Sequence, residues 1–91
     1  MGDAYRLQVA PAARRQLLGL APQFQLRIRQ TIRTLATDPR PRGAKLLADR
    51  PSERVWRVRV GDYRVLYEIR DKELVVLVVG IGHRREVYRS R

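Results

Sequence analysis

The chain predicts an α+β fold in the order β-α-α-β-β-β, with a helix hairpin packed on one face of a mostly antiparallel four-stranded sheet. Three observations carry this. One alternating strand near the start is followed by two apolar stripes at helical spacing. The stretch "TDPRPRG" (Thr37 to Gly43), with two prolines and a glycine, then breaks the chain. Beyond it, three strand-like runs are separated by two-residue turn signals. The 91 residues form a single domain, residues 1–91, because a second core would not fit in so short a chain.

The elements follow in order. Tyr5, Leu7 and Val9 alternate with Arg6 and Gln8, the period-two pattern of a half-buried strand over Tyr5 to Ala10. Pro11 ends that strand and suits the first turn of a helix, in which Ala13, Leu17 and Leu20 share a face. Pro22 opens a second helix, with Phe24, Ile28, Ile32 and Leu35 in one stripe. The short link between the two predicts an antiparallel helix hairpin. "AKLLADRPSE" reads as a connection, with Leu46 and Leu47 pinned to the core. Strands are expected over Val55 to Val60, Tyr63 to Arg70 and Leu74 to Ile81, joined at Gly61-Asp62 and Asp71-Lys72. The last strand is apolar on both faces and ends in Gly80 and Gly82, which mark a bulge or a close backbone approach.

Composition narrows the function. The absence of cysteine removes disulfides and thiolate metal sites, and fits a reducing compartment. No apolar run approaches the roughly 18 residues of a membrane span, so a cytoplasmic protein without membrane contact is expected. The formal net charge is +11, with 20 basic against 9 acidic residues, and all but Lys45 and Lys72 of the basic residues are arginine. A GC-rich genome explains arginine over lysine. It does not explain the excess charge, which points to a polyanionic partner.

The charge concentrates in "VWRVRVGDYRVLYEI" (Val55 to Ile69). Trp56, Val58 and Val60 share one face of their strand, and Tyr63, Val65, Tyr67 and Ile69 share one face of the next. Both sets must meet the helices, so Arg57, Arg59 and Arg64 gather on the opposite face. A two-residue turn at Gly61-Asp62 pairs Arg59 with Arg64, placing two like charges with Cβ atoms ~5 Å apart, an arrangement that destabilises the sheet. A solvated charged face is the plain alternative, with Glu53 and Glu68 as neutralising partners. Guanidinium groups matched to phosphate oxygens are the functional one.

Much chemistry is excluded by what the chain lacks. His83 is the only histidine, so a two-histidine ribonuclease is ruled out. The carboxylates are scattered, with Asp62 and Asp71 in turns, so no metal site is expected. No nucleophile motif or phosphate-cradling glycine loop occurs. Cleavage of RNA by its own 2′-hydroxyl remains open. It needs in-line orientation of that group and cations for the charge of the transition state.

"RVRVGDYRVLYEI", the apolar strand after it, "GHRREVY", the "DPRP" breaker and "KLL" together resemble the RelE/ParE superfamily of toxin–antitoxin toxins, over roughly Tyr5 to Tyr88. The resemblance implies the RelE-like fold and a ribosome-dependent, metal-free mRNA endoribonuclease without cofactor. Its partners would be the ribosome with mRNA and rRNA, and a cognate antitoxin in a hetero-oligomer. Carried over by position, Arg57, Arg59, Arg64, Arg84 and Tyr88 are the implied catalytic residues, and Lys45, His83 and Arg85 the implied RNA contacts. Arg57, Arg59 and Arg64 would grip the scissile phosphate. Arg84 would stabilise the transition state or leaving group, and Tyr88 would orient the nucleotide or move a proton. The best-known member has two lysines where this chain has Arg57 and Arg59, which cannot readily deprotonate. The base then falls to Tyr88 or the substrate's environment, or cleavage is slow. A ParE-like gyrase inhibitor and a non-catalytic basic module binding RNA or antitoxin are the rival readings.

Overall fold

The computed structural model describes residues 4–50 and 53–83. Its order is β1 (Arg6–Val9), α1 (Pro11–Leu18), α2 (Pro22–Thr34), β2 (Lys45–Arg50), β3 (Glu53–Val60), β4 (Tyr63–Arg70), a 3₁₀ turn (Asp71–Glu73) and β5 (Val75–His83). The strands form one sheet in the spatial order β1-β5-β4-β3-β2. β1 runs parallel to β5, and the other neighbours are antiparallel. The sheet has five strands rather than four. "KLLADR", expected as a connection, pairs along the edge of β3, with a bulge between Leu46 and Ala48. Leu46 and Leu47 are therefore not pinned to the core but stand 39% and 40% exposed on the edge strand.

Both helices begin as expected. Pro11 and Pro22 sit in the first turn after an extended alanine, where a missing N–H leaves nothing unsatisfied. Gln25 of α2 donates to the carbonyls of Leu20 (2.8 Å) and Leu18 (3.3 Å), closing the end of α1 and fixing the short link between helices. Ala13 and Leu17 of α1, with Ile28, Ile32 and Leu35 along α2, bury against Val58, Val65, Tyr67, Val76, Val78 and Ile81 of the sheet. β1 leaves β5 after Val78, and beyond that point Gln16 of α1 accepts the Ile81 N–H at 2.8 Å. A side chain thus replaces the ladder where the neighbouring strand ends.

Two details of the sheet decide which residues face away from the helices. Gly61 has φ +61° and is followed by an ordinary Asp62, the pattern of a II′ turn with glycine at its first central position. The register Val60↔Tyr63, Arg59↔Arg64, Val58↔Val65 follows from this turn as expected. In β5 the register slips between Leu66↔Gly80 and Tyr67↔Val78, leaving Val79 as an extra residue. This bulge returns Ile81 and His83 to the helix side and turns Gly80 and Gly82 to the other. The second connection is a 3₁₀ turn ending in Leu74 at φ +56°, not a two-residue turn at Asp71-Lys72.

Candidate functional site

The sheet face opposite the helices carries the arginines in a compact array. Arg59 stands directly across from Arg64, and Arg57 across from Leu66. Lys45 of β2 pairs with Arg57 from the other side. Next to Arg64 and Leu66, the positions on β5 are Gly82 and Gly80, so no side chain rises from the sheet there. Arg57 and Arg59 are ~7 Å apart along their strand. The cations are therefore spaced by the sheet itself.

The plain alternative of arginines splayed into water does not hold for Arg57 and Arg64, which are only 4% and 8% exposed. Both occupy interior strands, with paired strands on either side. The Nε of Arg57 is buried with no hydrogen-bond partner among the described residues. A buried cationic donor left unpaired is unfavourable, typically by about 1–3 kcal/mol or more for a charged group. Arg57 lines an open depression of about 300 Å³ together with Arg42, Gly43, Lys45, Val58 and Arg59. Among the described residues no carboxylate lines it. Glu68, a sequence candidate for neutralising the cluster, is instead paired with Arg70 at 3.2 Å. The depression's described lining carries guanidinium and ammonium groups and no side chain of opposite charge, a setting that favours an anion.

The loop that brings Arg42 to this site is held at its base. Arg40 pairs with Asp71 at 2.8 Å and lies 5.4 Å from the centre of the Trp56 ring. Tyr5 donates to the same carboxylate at 2.6 Å. The Arg40 guanidinium and the Tyr5 hydroxyl hold the Asp71 carboxyl below its ordinary range. Tyr67, fully buried beneath the loop, donates to the Pro39 carbonyl at 2.7 Å. Burial pushes its phenol up to about 12, so it stays a donor at neutral pH. Gly43, at φ +93°, then makes the turn that leads into β2. Asp71, a turn residue on sequence grounds, is thus also the anchor of the loop beside the site, a role visible only once Arg40 and Tyr5 are seen beside it.

The structure brings Lys45, Arg57, Arg59 and Arg64 of the expected site residues onto one face. His83 lies on the other face. It pairs with Tyr63 across the strands and its ring sits edge-on to the Tyr63 ring, with centroids 5.9 Å apart. Tyr63 in turn contacts Phe24 of α2 at 5.1 Å. Arg84, Arg85 and Tyr88 lie outside the described residues. Arg42 is an addition. Its signal in the sequence is the basic residue between Pro41 and Gly43, which reads as a breaker until the loop is seen folded against Arg57. Among the described residues no group of three or more His, Cys, Asp or Glu side chains is placed to hold a metal.

A mostly antiparallel sheet backed by a helix hairpin, with a depression lined by arginines, defines a small basic α+β domain. The sequence model for the ParE toxin of type II toxin–antitoxin system, parDE, matches residues 7–88, and the chain belongs to that family, within the RelE/ParE superfamily of toxins. Among solved structures, it is similar to a chain of the toxin–antitoxin complex RelBE2 from Mycobacterium tuberculosis, with TM-score 0.79 and 28% identity over 92% of this chain and 95% of that one. The archaeal RelE–RelB complex from Pyrococcus horikoshii gives TM-score 0.79 and 25% identity over 89% and 96%. The intact RelBE complex of E. coli shares the fold, with TM-score 0.74 at 22% identity over 88% and 96%. No curated protein sequence matches the chain. Among the described residues no helix is long and apolar enough to cross a membrane.

Proposed function

We propose that this toxin is an mRNA endoribonuclease that acts on the ribosome, cutting in the A site and stopping translation, with the arginine face as its phosphate-binding surface. The observation that carries this reading is that Arg57, Arg59 and Arg64 share one face of the sheet, where Arg57 and Arg59 line a depression with no acid among its described residues. The nucleophile is the RNA's own 2′-hydroxyl. The guanidinium groups hold the scissile phosphate and stabilise the extra negative charge of the transition state. None of them can accept the proton. That step falls to Tyr88 or to the substrate's surroundings, with Arg84 supporting the leaving group. In the cell an antitoxin covers the basic face. The +11 charge suits an acidic segment, and the similar structures from Mycobacterium tuberculosis and Pyrococcus horikoshii are toxin–antitoxin complexes.

A second reading is favoured by the family match itself, which is to a ParE toxin. It makes the target DNA gyrase and gives the arginines no chemical role. One pair of assays separates the two. Purified ribosomes translating a defined mRNA are given the protein, and breaks are mapped by primer extension. Gyrase supercoiling is measured alongside. A-site breaks that disappear with Arg59→Ala support the ribonuclease. Inhibited supercoiling without breaks overturns it.

A further inference from the structure

A second basic depression lies around the hairpin tip from the first. It has a volume of about 390 Å³ and is lined by Arg27, Gln30, Thr31 and Thr34 of α2 and by Arg59, Val60 and Gly61 of the β3–β4 turn. Arg59 borders both depressions. Arg27 and Arg59 are exposed, and neither has a carboxylate partner among the described residues. Among the described residues the lining contains no acid, and the nearby Asp62 is not part of it. Gln30 and Thr31 add neutral donors, while the Thr34 hydroxyl is occupied with the Thr31 carbonyl at 2.6 Å. The Arg27 guanidinium lies over the turn, 3.6 Å from where a Cβ on Gly61 would stand. Glycine at this position leaves the cation close against the backbone. Two guanidinium groups facing one groove repel each other unless an anion lies between them.

We infer that this groove is a second phosphate subsite, and that single-stranded RNA runs from the arginine face past Arg59 into the groove between α2 and the hairpin tip. The inference rests on the reading of the arginine face as an RNA surface and extends it by one or two nucleotides. Arg59 is the shared post around which the strand bends. Arg27 binds a phosphate flanking the scissile one, so it contributes to affinity for a long strand and nothing to a short one.

The test uses the full chain and 2′-O-methyl RNA, which binds without being cut, in two lengths: a dinucleotide, which fills only the arginine face, and an octamer. Fluorescence anisotropy is followed across a salt series. Arg27→Glu is expected to weaken the octamer at least tenfold, to reduce the slope of log K against log salt by about 0.7, and to leave the dinucleotide within twofold. Gln30→Lys, which adds a cation to the same groove, is expected to strengthen the octamer several-fold. Arg59→Ala weakens both lengths. If wild type binds the octamer but Arg27→Glu binds it equally, or if Arg27→Glu weakens both lengths alike, the second subsite is overturned while the arginine face stands. If wild type binds neither length, the arginine-face reading fails and this inference falls with it.

Discussion

Arg59 and Arg64 stand directly opposite each other on β3 and β4, two like charges in a position where a neighbouring pair would ordinarily attract. Direct like-charge pairs weaken a sheet by roughly 0.2–1 kcal/mol. Arg59→Thr keeps strand propensity and removes the repulsion. It is expected to hold or raise the melting temperature while weakening RNA binding at least tenfold. Thermal unfolding and anisotropy on the same preparations check this, and a variant that loses stability and affinity together would refute it.

Arg57 should show the same opposition more sharply. Its Nε is buried without a partner among the described residues. Arg57→Met fills a similar volume without a charge, so stability is expected to hold or to rise by about 1–3 kcal/mol. Anion binding should fall. Urea unfolding measures the first and phosphate-dependent stabilisation the second, since an anion held by the native state alone raises its apparent stability.

Tyr67 ties the loop to the sheet through the Pro39 carbonyl. Tyr67→Phe leaves that carbonyl without its donor and is expected to lower stability by about 1 kcal/mol at pH 7. Burial raises the folded pKa of Tyr67 to about 12, above the unfolded value. Its contribution is therefore fully present below about pH 10 and is lost as pH rises through the folded value. The gap between wild type and Tyr67→Phe should narrow over that range in melting curves taken from neutral to alkaline pH.

Asp71 gives the opposite pH signature. Its folded pKa is lowered by Arg40 and Tyr5, so its stabilisation is present above about pH 3.9 and lost as pH falls through the folded value. The Arg40–Asp71 pair is roughly half exposed, which limits the effect of Asp71→Asn to about 1 kcal/mol or less. The difference between wild type and variant should be visible at pH 7 and disappear on acidification. A difference that persists at pH 2 would mean that the carboxylate's charge is not what holds the loop.

The hairpin was the most legible part of the fold. Gly61-Asp62 between two alternating runs sets a two-residue turn, and a two-residue turn sets the register, so Arg59↔Arg64 could be read from neighbours alone. The stripes of α1 and α2 were equally plain. β2 was not, because "KLLADR" has no clean alternation and becomes a strand only against the edge of β3, through a bulge. The turn at Asp71 departs from its local pattern for a related reason. Its conformation ends in a left-handed Leu74, which no local preference favours.

For the candidate site, local pattern determined that Arg57, Arg59 and Arg64 share the face away from the helices, because alternation is a property of the strand itself. It also determined the excess positive charge and, through the resemblance, the family. Only the tertiary structure decided how those arginines are held. β2 had to pair before Arg57 could be enclosed, and the 37–43 loop had to be fastened by Arg40, Asp71 and Tyr67 before Arg42 could reach the depression. A single extra residue, Val79, decided which face His83 and the two glycines occupy. Burial and partnership depend on segments far apart in the chain, and a one-residue bulge reverses every face beyond it, so neither follows from local spacing.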